Sequence, residues 1–204
     1  MMDAELVTAL IAFAFVASIT PGPNNLMLMA SGTNFGIRRT VPHMLGVGIG
    51  FMLMVVLVGI GVTKIFDTFP RVQTILKVAG VIYLLYLAWK IATASPPEDR
   101  TDGTTGNAKP MTFLQAALFQ WVNPKAWAMA LTAVSTYTPQ GQTFGAVLIV
   151  AIVFGIVNLP AVTTWVVLGS RLRRFLHDPK KLRVFNISAA LLLLLSLYPI
   201  LFDH

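Results

Sequence analysis

The chain has 204 residues, of which 56% are hydrophobic and 11% charged, with a net charge of +7 at pH 7 and no cysteine. A soluble domain carries about 25% charged residues, so this composition excludes an ordinary water-covered fold. The missing thiols exclude disulfides and cysteine-based metal sites. The basic residues sit in short clusters between long apolar runs, a pattern of membrane topology signals rather than of a nucleic-acid surface.

Crossing a hydrocarbon core of about 30 Å takes roughly 20 apolar residues of helix. Met1-Met2-Asp3-Ala4-Glu5 lacks the positive region of a secretory signal, so the first apolar run is expected to stay in the mature protein. Ala4–Thr20 is uncharged, stops at Pro21-Gly22-Pro23, and resumes as Leu26–Ser31 before Arg38-Arg39. Pro42–Val62 and Val72–Ala94 read as spans two and three, the latter with Lys77 and Lys90 placed to snorkel. Residues 96–110 are polar and read as a cytoplasmic linker. Met111–Tyr137, Thr143–Ser170 and Val184–Phe202 complete the spans, with turns or basic loops between them. The expectation is an all-α integral membrane protein of six transmembrane helices, since strands of this length and continuous apolarity do not form lipid-facing barrels.

Loop charge predicts orientation. Loops one, three and five carry eleven positive residues: Arg38, Arg39, Lys90, Arg100, Lys109, Arg171, Arg173, Arg174, Lys180, Lys181 and Arg183. The opposite side carries Lys64, Arg71 and Lys77. Positive loops stay inside, which predicts cytoplasmic odd loops and both termini outside the cytoplasm.

The two halves of the chain answer each other. Pro21, Gly22 and Pro23, followed by Asn24 and Asn25, interrupt span one; Asn123, Pro124 and Lys125 interrupt span four. Pro23 lies 19 residues before Pro42, and Pro124 lies 19 before Thr143. Three spans per half is odd, so repeats at residues 1–95 and 111–204 would be inverted relative to one another. Paired interruptions of this kind point to a transporter's binding site. A helix broken at proline leaves free carbonyls, and free amides where it resumes; in lipid these are tolerated only inside protein or beside a watery cavity. Amides at a helix N-terminus suit a carboxylate and carbonyls suit an ammonium, so a zwitterionic amino acid presents one partner for each.

The stretch Thr20-Pro21-Gly22-Pro23-Asn24-Asn25, Gly36 with Arg38-Arg39, the small-residue-rich Gly46–Gly50, and Asn123-Pro124-Lys125 followed by an aromatic resemble the LysE/RhtB family of amino-acid exporters. The likeness covers essentially the whole chain. Tyr86–Ser95 and the Lys109-Pro110 pair are similar to its cysteine/O-acetylserine exporter branch. The resemblance implies a multi-pass protein of the bacterial inner membrane that exports amino acids by proton antiport. Many members carry Asp where this chain has Asn24, so the likeness supplies no proton-carrying carboxylate there.

Two adjacent amides in an apolar run are costly unless satisfied, which makes Asn24 and Asn25 candidate cavity-lining groups; the bland reading is a kink that only shapes the helix pair. Lys125 lies deep in span four, with backbone carbonyls or Asn123 as expected neighbours; the bland reading is a snorkelling lysine. It could attract a substrate carboxylate or take part in proton traffic. Asn158 and Pro160 are expected to interrupt span five, with interhelical bonding as the competing role for Asn158. His43 titrates in a useful range but reads as incidental near an interface. Gly46, Gly48 and Gly50 read as close-packing positions, and Gln120 and Trp127 as weaker cavity candidates.

All eight carboxylates lie outside the span centres, so a cationic side chain would meet no counter-charge and small neutral substrates fit better. An enzyme would need paired acids, a Ser/His arrangement or a metal cluster; the sequence offers none, nor any cofactor motif. The competing reading is an ion channel or metal-ion exporter of the same superfamily, its selectivity built from the carbonyls of broken helices. Small-residue faces could support a homodimer or equally pack helices within one chain.

Overall fold

The computed structural model describes residues 4–62, 68–94, 109–138, 144–173, 175–176, 178–196 and 198. Regular structure among them is helical throughout: α1 (Ala4–Ile19), α2 (Pro23–Phe35), α3 (Ile37–Gly59), α4 (Pro70–Ala92), α5 (Phe113–Phe119), α6 (Pro124–Tyr137), α7 (Phe144–Leu172) and α8 (Pro179–Leu195). A 3-10 turn, Gln120–Val122, joins α5 to α6. Most of the linker at 96–110 and the turn after Thr138 fall outside the described residues.

The ends of these helices follow from local chemistry. Pro23, Pro124 and Pro179 open α2, α6 and α8, where a missing N–H costs nothing. Asn123 and Asp178 cap the last two by accepting the N–H of Lys125 and Lys180, and Thr112 forms a capping box with Gln115 ahead of α5. Gly36, at φ 78°, turns the chain from α2 directly into α3, in a region of backbone space open to glycine at little cost.

Among the described residues, three helices are long and apolar enough to cross a membrane: Ile37–Gly59, Thr74–Ala92 and Phe144–Leu172. The α1–α2 pair passes the same test as one unit bent by 55° at its break. Taken singly, α6 and α8 have 14 and 17 residues, shorter than a perpendicular span requires. The outward faces carry exposed Phe15, Ile82, Leu114 and Ile156, as a lipid-facing surface would.

Three sequence expectations need correction. Span two begins at Ile37, not Pro42, so Arg38 and Arg39 lie on its first turn and Pro42 sits inside the helix, where it forfeits one backbone bond. The last helix begins at Pro179, which places Lys180, Lys181 and Arg183 on it. Pro160 does not interrupt α7, which runs unbroken from Phe144 to Leu172. Leaving the helix there would strip several backbone groups of partners in an apolar setting, whereas staying forfeits one bond.

Helix α3 packs on α5, α6 and α7, while α7 packs on α1, α2 and α3; α4 packs on α8. The contacts of α3 with the broken pair α5–α6 thus have counterparts in those of α7 with the broken pair α1–α2. Glycine permits the close crossings: a Cβ on Gly46 or Gly50 would lie 2.3 Å from the Phe113 carbonyl oxygen or 2.5 Å from the Ala117 Cα of α5. Gly48 plays no such part, since the nearest atom to its would-be Cβ is Asn158 Oδ1 at 3.9 Å.

Two apolar clusters divide the interior. One gathers Met27, Leu28, Met44, Val47, Leu84, Phe119 and Val162; the other gathers Leu10, Ala14, Phe51, Met54, Ala126 and Phe154. Most buried polar residues fall in two groups: Ser18, Asn25, Gln120, Asn123 and Asn158 near the helix breaks, and Ser31, Asn34, Thr40, His43 and Asn186 further along α2 and α3.

Candidate functional site

The break between α1 and α2 frees carbonyls, and side chains from distant parts of the chain close on them. Asn25 donates to Ser18 O at 2.8 Å and Thr20 O at 2.7 Å, and Trp165 donates from α7 to Ile19 O at 3.0 Å. The Lys125 ammonium donates to Thr20 O at 2.6 Å, Thr20 Oγ1 at 2.9 Å and Pro21 O at 3.3 Å. These short charge-assisted contacts are the strong kind. Carbonyls suited to an ammonium are therefore met by the protein's own.

Lys125 reaches them because Asn123 and Pro124 start α6 beside the break, and because Gly22 carries no side chain. A Cβ at Gly22 would lie 2.6 Å from Lys125 Cδ. The sequence expected carbonyls or Asn123 beside this lysine. The ammonium meets the carbonyls, while the Asn123 side chain accepts the Lys125 backbone N–H.

Asn24 and Gln120 form a reciprocal amide pair between the two breaks: Asn24 Nδ2 donates at 2.8 Å and Gln120 Nε2 returns a bond at 3.2 Å. Gln120 also donates to Ala116 O, which bridges the 3-10 turn to α5. Gln120 is a weaker candidate from sequence, because a single amide beside a tryptophan carries no spacing signal. Trp127 turns aside, donating to Trp121 O and packing edge-on against the Trp121 ring at 5.8 Å.

Asn158 projects from α7 and donates to Ser18 Oγ at 3.2 Å, while its Oδ1 is buried and has no hydrogen-bond partner. A buried acceptor without a donor is costly. By contrast α2 begins without a side-chain cap, so its first free amides point from the break.

These parts surround one small pocket of about 20 Å³, room for a water molecule, lined by Ser18, Gly22, Asn24, Asn25, Asn123, Lys125 and Asn158, with Val47, Phe51 and Val162 as apolar wall. The structure brings all five candidate polar residues, Asn24, Asn25, Asn123, Lys125 and Asn158, to this pocket. Of the helix-break residues, Gly22 lines it, Pro23 and Pro124 open the helices beside it, and Pro21 supplies a carbonyl; Pro160 is exposed, away from it. Groups of His, Asp and Glu able to hold a metal are absent among the described residues.

Apolar helices interrupted around a buried polar pocket are the features of a membrane protein with a sheltered polar interior. The family model for LysE type translocators matches residues 15–198, and the chain belongs to that family. It is 31% identical to a cysteine/O-acetylserine efflux protein of Escherichia coli O139:H28 (strain E24377A / ETEC), covering 95% of this chain and 96% of that one. The same identity relates it to the cysteine/O-acetylserine efflux proteins of E. coli strain K12 and Shigella flexneri, each over 94% of this chain and 95% of the relative. No solved structure matches the chain. The family is one of transporters, the class to which the paired interruptions of spans one and four pointed.

Proposed function

We propose that this protein exports small neutral amino acids or their derivatives, of the cysteine/O-acetylserine or homoserine/threonine type, across the bacterial inner membrane. The observation that carries the reading is the meeting of Asn24, Asn25, Asn123, Lys125 and Asn158, from three helices, on one pocket between two helix breaks. The pocket offers complementary groups for a zwitterion. The Lys125 ammonium and the uncapped start of α2 receive the carboxylate. The unpartnered Asn158 Oδ1 accepts from the substrate ammonium. The apolar wall of Phe51 and Val162 suits a short uncharged side chain.

In this reading α1–α2 and α5–α6 are each one broken span, and with α3, α4, α7 and α8 they make six. Residues 1–95 and 111–204 are inverted three-helix repeats joined by the 96–110 linker, a relation supported by the matching contacts of α3 and α7. Both termini lie outside the cytoplasm. Export proceeds by alternating access, one half rocking against the other around the pocket, with proton antiport as the driving reaction.

The test is uptake of labelled O-acetylserine, cysteine, threonine and homoserine into inverted membrane vesicles from cells making the protein. Saturable uptake of one of them, stimulated by an imposed proton gradient, supports the proposal. Ion flux without amino-acid counterflow favours the channel reading instead.

A further inference from the structure

A second cavity, of about 60 Å³, lies further along α2 and α3. Ser31 and Asn34 line it from α2, and His43 from α3. Ser31 is seven residues beyond Asn24 and His43 is one turn before Val47, so at 1.5 Å per residue the two cavities lie about 10 Å apart along these helices. A single apolar cluster separates them: Met27, Leu87 and Met111 wall the second cavity, and Val47 and Val162 of the same cluster wall the first. Unbranched Met27 can change rotamer and open such a layer without unpacking it.

The chemistry of this cavity is unusual for a packing defect. Ser31 is paired with Thr40 at 2.9 Å, and Asn34 donates to Ala30 O and to Asn186 Oδ1. His43 is different: its ring is buried to 1% exposure and neither nitrogen has a hydrogen-bond partner among the described residues. An imidazole buried in this way stands ready for a ligand. Lys90, from the last turn of α4, and Lys109, ahead of α5, also line the cavity, and among the described residues none that lines it is acidic. Both lysines belong to the loop that the charge pattern places in the cytoplasm.

We propose that this cavity is a cytoplasm-facing loading site. It takes the carboxylate of an outgoing amino acid between Lys90 and Lys109 and hydrogen-bonds it through His43, before the substrate passes the Met27 layer to the central pocket. The inference rests on the exporter reading and assigns that function a second site. Anionic lipid headgroups share the carboxylate's attraction to the two lysines, and the experiment separates the two sources.

The protein is reconstituted, and O-acetyl-L-serine transport is measured with substrate on the cytoplasmic face and, separately, by exchange from the opposite face. His43→Leu is expected to raise the half-saturating concentration about ten-fold on the cytoplasmic face alone. The Lys90→Gln/Lys109→Gln double variant, altered at the rim where folding is not at stake, is expected to shift in the same direction. Unchanged half-saturation in the double variant, or an equal shift on both faces, overturns the loading site. A lysine effect confined to vesicles containing phosphatidylglycerol, and absent in phosphatidylcholine alone, assigns the rim to lipid and also overturns it. If the wild-type protein carries no O-acetyl-L-serine, the exporter reading fails for that substrate and this inference falls with it; unchanged variants of an active protein defeat this inference alone.

Discussion

The Lys125 ammonium lies 2.6 Å from the carbonyl oxygen of Thr20, 105 residues away in the chain. This contact ties the break in one half to the break in the other, and it places a cation where the α1 helix runs out of hydrogen-bond partners. Under the proposed function, a substrate carboxylate drawn to that ammonium would compete with the carbonyls for it, coupling binding to the geometry of the break.

Lys125→Met keeps most of the apolar stem and removes the charge. Export is expected to fall to background, while the protein still inserts and elutes as a single species. Loss of the bond to Pro21 O costs about 1–3 kcal/mol of stability, which thermal unfolding in detergent measures. Transport at the wild-type rate would remove Lys125 from the site.

Gly22→Ala sets a methyl group 2.6 Å from Lys125 Cδ. The lysine end is flexible and can move aside, so thermal stability should stay near wild type while transport drops. A variant as active as the parent would show that the position of the ammonium is immaterial.

Asn24→Ala strands the buried Gln120 amide, and Gln120→Ala strands Asn24. Each single change is expected to cost about 1–3 kcal/mol, and the double change distinctly less than their sum. Strict additivity in a double-mutant cycle read by thermal unfolding would dismiss the pair as a joint element.

Asn158→Ala removes the unpartnered acceptor at the pocket. With a charged donor on the substrate, the lost bond is worth about 1.5 kcal/mol, or roughly a ten-fold rise in half-saturating concentration. Vesicle uptake reads this directly; an unchanged value would place the substrate ammonium elsewhere.

Gly50→Ala drives a methyl group to 2.5 Å from the Ala117 Cα, where backbone cannot yield cheaply. Overpacking of this kind costs about 1–3 kcal/mol, a fall of about 2–4 °C in Tm for each kcal/mol. Gly48→Ala, with only Asn158 Oδ1 nearby at 3.9 Å, should unfold within a degree or so of the parent, by the same scale.

Much of the site was legible because breaking an apolar helix is a local event with a strong local signal. Pro21, Gly22, Pro23, Asn123 and Pro124 announce it, and polar groups kept in such a run must face protein or water rather than lipid. Pro160 misled the reading for the same reason: proline marks a possible break, and whether the helix stops depends on what else would hold the freed backbone. Gln120 and the empty environment of His43 left no mark in the sequence, since an amide or imidazole reads alike whether paired or alone.

By itself the sequence determined the solvent, the apolar segments and the places where two of them break, because these follow from composition, helix length and the chemistry of proline. Only the tertiary structure decided that Lys125 meets Thr20, that Asn24 meets Gln120, and that Asn158 turns to the same pocket. Those pairings join residues about a hundred or more positions apart, and no local propensity encodes them. They exist because helices crossing at glycine bring buried polar groups within reach of one another, and a buried polar group without a partner is costly to the fold.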